Sequence, residues 1–163
     1  MRVSVRPASA DDEAFLYELY SSTRADELAA WGLDESQRKS FLELQFRARQ
    51  RHYEIAFSGA DHQIILCEDR PIGRILVYRS EHEIRLVDIA LLPEHRQGGI
   101  GSSLIRELLV EAEATEKPVT LQVDKHNPAA RLYERLGFSK IEDVGGSDKM
   151  EWRPGVNILT ETE

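Results

Sequence analysis

Leu91-Leu92-Pro93-Glu94-His95-Arg96-Gln97-Gly98-Gly99-Ile100-Gly101-Ser102 joins an apolar run to an amphipathic one, and its reading decides the fold. Upstream, Ile84 to Leu92 is apolar except at Arg85 and Asp88, the composition of a central strand covered on both faces. Downstream, Ile100, Leu104, Ile105, Leu108, Leu109 and Ala112 recur at helical spacing, while Arg106, Glu107, Glu111 and Glu113 take the other side. This predicts a helix that ends before Pro118. Between the two, Gly98, Gly99 and Gly101 let main-chain N–H groups approach a ligand closely, and at a helix start those groups lack intrahelical partners. An anion suits the place. The helix dipole favours negative charge and Arg96 can add a cation, so a pyrophosphate is the natural guest. A ligand-free strand-to-helix turn would use the same glycines. Two other phosphate motifs lack essential parts: no Gly-Lys-Ser/Thr follows, and Leu104 fills the last position of a Gly99-x-Gly101-x-x-Gly pattern.

Working outward, Val119 to Val123 reads as the strand reached after the helix, which makes one strand-helix-strand crossover from Ile84. Pro128 to Leu136 is a further helix stopped by Gly137, followed by strands at Phe138 to Ile141 and Lys149 to Arg153. Towards the N-terminus, Val3 to Arg6 is a strand. Ser9 ahead of Asp11, Asp12 and Glu13 starts a helix whose apolar face is Phe15, Leu16, Leu19 and Tyr20. Gly32 and the cap Asp34 divide it from a second helix carrying Phe41, Leu44, Gln45 and Ala48. His62 to Glu68 and Ile72 to Arg79 are strands expected to turn at Arg70-Pro71. The expected class is α+β: a three-layer sandwich with a mostly antiparallel central sheet of about seven strands and four helices.

Composition narrows the function classes. The chain has 163 residues, 41% hydrophobic and 31% charged, which suits one globular domain, and its formal net charge of -8 disfavours nucleic acid as a partner. That acidity would attract cationic acceptors, although it also serves plain solubility. Cys67 is the sole cysteine, so no internal disulfide forms and a cytoplasmic setting is expected. No apolar run is long enough for a membrane span, and the histidines lack metal-ligand spacing. Neither a membrane nor a metal is expected.

A second motif lies at Asn127-Pro128-Ala129-Ala130-Arg131-Leu132-Tyr133-Glu134-Arg135-Leu136-Gly137-Phe138. Arg96, Gly99 and Gly101 resemble the pyrophosphate loop of the GNAT acyltransferase family, Gln/Arg-x-x-Gly-x-Gly/Ala. The second stretch resembles that family's Asn-x-x-Ala-x-x-Leu-Tyr-x-x-x-Gly-Phe. Both occur in the family's order, and the looser resemblance runs over residues 1–153, leaving 154–163 as a tail.

The resemblance implies a GNAT fold in which the strand at Ile84 splays from the strand at Val119, and transfer of an acetyl group from acetyl-CoA to a primary amine. It places the pantetheine amides on the backbone of Ile89 and Leu91. The pyrophosphate would lie on the loop Arg96, Gln97, Gly98, Gly99, Ile100, Gly101 and Ser102. Asn127 would bond the arm, or cap its helix, and Tyr133 would protonate the departing CoA thiolate. The amine needs a base as well. Asp88 is the first candidate because it interrupts an apolar strand, with a hydrogen-bonded structural carboxylate as its other reading. Glu83, Glu27 and the histidines are weaker candidates. Cys67, in an apolar strand, reads as core filling.

Glu27, Trp31, Gln45, Phe46 and Tyr53 would border the acceptor pocket, with Trp31 and Phe46 equally read as core. Gln122 departs from the glutamate of members that acetylate ribosomal-protein N-termini, which leaves open a small-molecule amine or another protein amine as acceptor. Val156, Ile158 and Leu159 would let the tail pair with a second subunit in a homodimer. The rival reading is a catalytically silent acyl-CoA sensor or interaction module, which would not need a phenol at Tyr133.

Overall fold

The computed structural model describes residues 2–155, so Val156, Ile158 and Leu159, on which the tail-mediated dimer was expected to rest, lie outside them. Its elements are β1 (Val3–Pro7), a 3-10 turn (Ala10–Asp12), α1 (Glu13–Ala30), α2 (Glu35–Ala56), β2 (Asp61–Cys67), β3 (Arg70–Arg79) and β4 (Ile84–Leu91). After a second 3-10 turn (Pro93–His95) come α3 (Ile100–Thr115), β5 (Val119–Asp124), α4 (Ala129–Arg135), β6 (Ser139–Asp143) and β7 (Ser147–Trp152). The strands form one seven-stranded mixed sheet in the order β1-β2-β3-β4-β5-β7-β6. β4 and β5 are its parallel pair, whereas β1 with β2, β5 with β7 and β6 with β7 are antiparallel.

The chain forms two compact units, one built from residues up to Leu76 with Asp88–Gln97, the other from Val77–Val87 with the chain from Gly98 onward. In the first, Leu16, Phe46 and Ile64 make a buried cluster to which Phe15, Tyr17, Tyr20 and Leu66 add partly buried surface. Tyr17 meets Phe46 edge-on at 5.5 Å. Phe46 is thus core, but Trp31 is 51% exposed and packs on Phe41 at the end of α1, so its core reading does not hold. The hairpin turn also differs from expectation. It falls at Glu68 and Asp69, both with positive φ (50° and 66°), while Arg70 and Pro71 already belong to β3. A two-residue turn of this hand matches strand twist, and Arg2 stabilises it through Asp69 (2.7 Å) and a backbone bond to Glu68 (2.8 Å). No glycine marks this turn, which is why Pro71 drew the reading two residues too far.

In the second unit the buried side of α3 is Ile100, Ile105, Leu108 and Ala112, and β5 buries Val119, Leu121 and Val123. Its register against β4 runs Ile84↔Val119, Arg85↔Thr120 and Leu86↔Leu121, although both strands continue beyond that point. The edge strand β6 is exposed along its length, and a bulge between Lys140 and Glu142 drops Ile141 from the ladder. Such an irregular, charged edge resists pairing with other chains.

Candidate active site

The glycine loop has the conformation its composition demands. After the 3-10 turn, Arg96 is extended, Gln97 is left-handed at φ 64°, and Gly99 is left-handed at φ 84° immediately before α3. The first helical bond is from Ser103 N–H to the Gly99 carbonyl (3.0 Å), so the N–H groups of Ile100, Gly101 and Ser102 precede the ladder. A Cβ built on Gly98, Gly99 or Gly101 would meet nothing within 4 Å. The glycines therefore serve no close packing inside the fold. Gly99 answers to its φ, and Gly98 and Gly101 leave the backbone uncrowded, as Gly146 does between β6 and β7.

Arg96 is placed otherwise than as an outstretched cation. Its Nε donates to the Leu91 carbonyl (2.9 Å) and Nη2 to the Ser22 hydroxyl (3.4 Å). On the facing side of the strand, Leu92 N–H donates to the Ile72 carbonyl (2.8 Å), so strand alternation turns the polar groups of Ile89 and Leu91 to the opposite edge. There the Leu91 carbonyl meets a side chain instead of a strand. Gly73, buried in β3, has a further constraint: a Cβ would lie 2.2 Å from the Ala90 carbonyl oxygen. A glycine inside a strand pattern signals such an approach, and this one was overlooked.

Asp88 is engaged at both carboxylate oxygens. Arg74 Nε donates to Oδ2 at 2.8 Å and Arg49 Nη2 to Oδ1 at 3.4 Å. With a guanidinium on each oxygen, this geometry is that of the hydrogen-bonded carboxylate rather than of an unoccupied proton acceptor. Tyr53 lies between the same arginines, their guanidinium carbons 5.3 Å (Arg49) and 5.6 Å (Arg74) from its ring centroid, and burial beside Asp88 pushes its phenol up. Burial and Arg74 hold the nearby His62 imidazole below its ordinary pKa. Arg49 and Arg74 were not foreseen at all.

In the other unit, Tyr133 is buried on α4, its ring 5.9 Å from Phe138 in an edge arrangement. Asn127 is exposed, and its Oδ1 accepts from Ala129 N–H (2.9 Å), which is the capping role. Gln122 donates to the Ser147 hydroxyl (2.7 Å) and accepts from Arg85 (3.4 Å). Among the weaker candidates, Glu83 accepts from Thr120 (3.0 Å) and Glu27 pairs with Arg24 (2.7 Å). Cys67 is buried on β2.

No curated protein matches this chain. Solved structures do: PaiA N-acetyltransferase from Thermoplasma acidophilum in complex with coenzyme A is 20% identical with a TM-score of 0.70, covering 94% of this chain and 99% of that one. A spermidine N-acetyltransferase SpeG chimera from Vibrio cholerae and hSSAT is 18% identical (TM-score 0.63; 94% and 96% covered). The ribosomal-protein-S18-alanine N-acetyltransferase of Escherichia coli is 17% identical (0.62; 93% and 94%). At these identities the likeness is one of fold. The Acetyltransferase (GNAT) domain model matches residues 60–140, a span that contains both motifs together with β4 and β5. The chain belongs to the GNAT acetyltransferase family, whose enzymes use acetyl-CoA as cosubstrate.

Proposed function

We propose that this protein transfers the acetyl group of acetyl-CoA directly to a primary amine. The observation that carries the reading is the loop at the start of α3, where no neighbour crowds Gly98, Gly99 or Gly101 and the N–H groups of Ile100, Gly101 and Ser102 precede the helical ladder. Residues Gln97 to Ser102 hold the pyrophosphate, with the α3 dipole adding to the attraction. Ile89 and Leu91 offer backbone groups along the edge of β4 to the pantetheine amides, as an added strand would. Asn127 caps α4 and so fixes the helix that carries Tyr133.

Acetyl-CoA supplies a thioester, which a neutral amine attacks with expulsion of the CoA thiolate. Tyr133 donates its phenolic proton to that sulfur, and the proton lost by the amine restores the balance through solvent. Asp88 anchors Arg49 and Arg74 in the first unit. The alternative of a silent acyl-CoA sensor shares the loop and differs only in chemistry.

The deciding experiment incubates the protein with acetyl-CoA and a panel of primary amines, following thiol release and product mass, with thermal unfolding recorded in parallel. Coenzyme A should raise the unfolding temperature, and at least one amine should be acetylated. Stabilisation by coenzyme A with no transfer to any amine would favour the sensor.

A further inference from the structure

We propose that the acceptor is an amine that also carries a carboxylate, and that Arg49 receives this carboxylate. The inference rests on the acetyltransferase reading above. Its ground is a stack of alternating rings and guanidiniums within the first unit: Phe41, Arg24, Tyr20, Arg49, Tyr53 and Arg74. The successive guanidinium-to-ring distances are 5.7, 5.8, 5.8, 5.3 and 5.6 Å. Residues from α1, α2 and β3 build it, and Asp88 of β4 closes it.

The charges along this stack do not balance. Glu27 pairs with Arg24 at 2.7 Å and Asp88 with Arg74 at 2.8 Å, while among the described residues the ion pair of Arg49 is the longer 3.4 Å contact to an Asp88 that Arg74 already holds, beside a neutral hydrogen bond with Tyr53. One guanidinium is thus in excess, in a chain whose formal net charge is -8. Placement separates the arginines further, because the Arg74 side chain is 10% exposed and that of Arg49 is 43% exposed. Tyr20 and Tyr53 rings lie 5.8 and 5.3 Å from the Arg49 guanidinium carbon, which limits the freedom of that group. A guanidinium has five such donors; those of Arg49 engage Asp88 and the Tyr53 hydroxyl. The planar guanidinium fork matches the two oxygens of a carboxylate.

The stack ends at Asp88, the residue before Ile89, where the proposed pantetheine edge begins. A ligand anchored at Arg49 therefore approaches the strand that carries the thioester arm. A polycation such as spermidine, the substrate named for one structural neighbour, would bring like charge to this fork.

The test compares an amino acid, its amide, the amine lacking the carboxylate, and an aminoalkyl phosphate of equal length, all with acetyl-CoA. The amino acid should be preferred over its amide by about tenfold or more in kcat/KM, as expected for a charge-assisted hydrogen bond. In Arg49→Gln that preference should collapse, the acid losing far more than the amide and losing it through a higher KM. Arg49→Lys, which keeps the charge without the fork, should restore part of it. A second readout needs no turnover: with coenzyme A present, the N-acetylated acid should raise the unfolding temperature of the parent but not of Arg49→Gln. Preference for the amide, a polyamine or the phosphate, or equal slowing of acid and amide in Arg49→Gln, would overturn the carboxylate assignment. Coenzyme A binding without any acetyl transfer would overturn the enzyme reading, and the product-binding comparison would still judge Arg49.

Discussion

The glycine loop and the arginine-tyrosine stack are proposed to bind by opposite means. From Gln97 to Ser102 the proposed binding groups are backbone N–H donors, and what the sequence contributes is permission: glycines at Gly98, Gly99 and Gly101 and a helix that begins there. The stack contributes side chains from four separate elements, brought together only when α1, α2, β3 and β4 pack in one unit. The loop is a contiguous word in the sequence, whereas the stack has no sequence signature. On this reading a family could keep the first and vary the second, so that one cosubstrate serves many acceptors.

The largest test of this contrast falls on Tyr133, which belongs to a contiguous motif yet is assigned chemistry instead of backbone binding. Tyr133→Phe keeps a ring to pack against Phe138 and loses the hydroxyl. Single-turnover kcat should drop by about a hundredfold, the usual scale of general-acid assistance, with coenzyme A affinity changed no more than a few fold. An unchanged rate would make the motif a packing signature and leave catalysis to the loop and the stack.

Legibility follows the same division. The seven strands and four helices were readable because each is set by local periodicity and punctuation, from the Asp34 capping box of α2 to the left-handed Gly99 before α3. Glu68-Asp69 was missed because non-glycine residues took the left-handed conformations of a tight turn. At the site, Gly99, Tyr133 and Asn127 could be named because they stand in contiguous motifs that resemble those of the family. Asp88 was singled out as a charge in an apolar strand, but its partners, Arg49 and Arg74, lie 39 and 14 residues away. Nothing local distinguishes those arginines from others. Overall acidity even pointed the other way, towards cationic acceptors, because net charge is silent about a local excess of guanidinium.

A smaller effect separates backbone strain from ligand access within the loop. Gly101 lies inside α3 and a Cβ there meets nothing, so Gly101→Ala should leave the unliganded fold as stable or up to about 1 kcal/mol more stable, from helix propensity. Its coenzyme A affinity should fall about tenfold, the loss of roughly one hydrogen bond to a charged group. Gly99→Ala, at φ 84°, should in addition cost the unliganded protein about 1 kcal/mol of left-handed strain. Thermal unfolding with and without coenzyme A separates the two. Equal coenzyme A shifts in Gly101→Ala and parent would remove the loop from the cosubstrate site.

The smallest expected effect concerns Asp12, an arginine-bound carboxylate in the same unit as Asp88 but with no assigned part in binding. Arg6 donates to both its oxygens (2.8 and 2.9 Å), and Ser9 N–H adds a bond of 2.8 Å. These contacts, the Arg6 hydrogen bond first, hold its carboxyl down from the ordinary 3.8 to about 2. A depressed carboxyl stabilises the fold above its unfolded pKa, and that contribution disappears as pH falls through the folded one. Because the Arg6 side chain is 40% exposed, solvent screening reduces the worth of the pair to about 1 kcal/mol. Asp12→Asn should therefore be less stable by about that amount at neutral pH, and urea titrations should show the gap closing as pH drops from 3.8 towards 2. The variant's preference between an amino acid and its amide should remain that of the parent. If Asp12→Asn weakened that preference as Arg49→Gln does, the carboxylate selectivity would belong to the stability of the whole unit, and the distinction between a binding arginine and a structural one would fail.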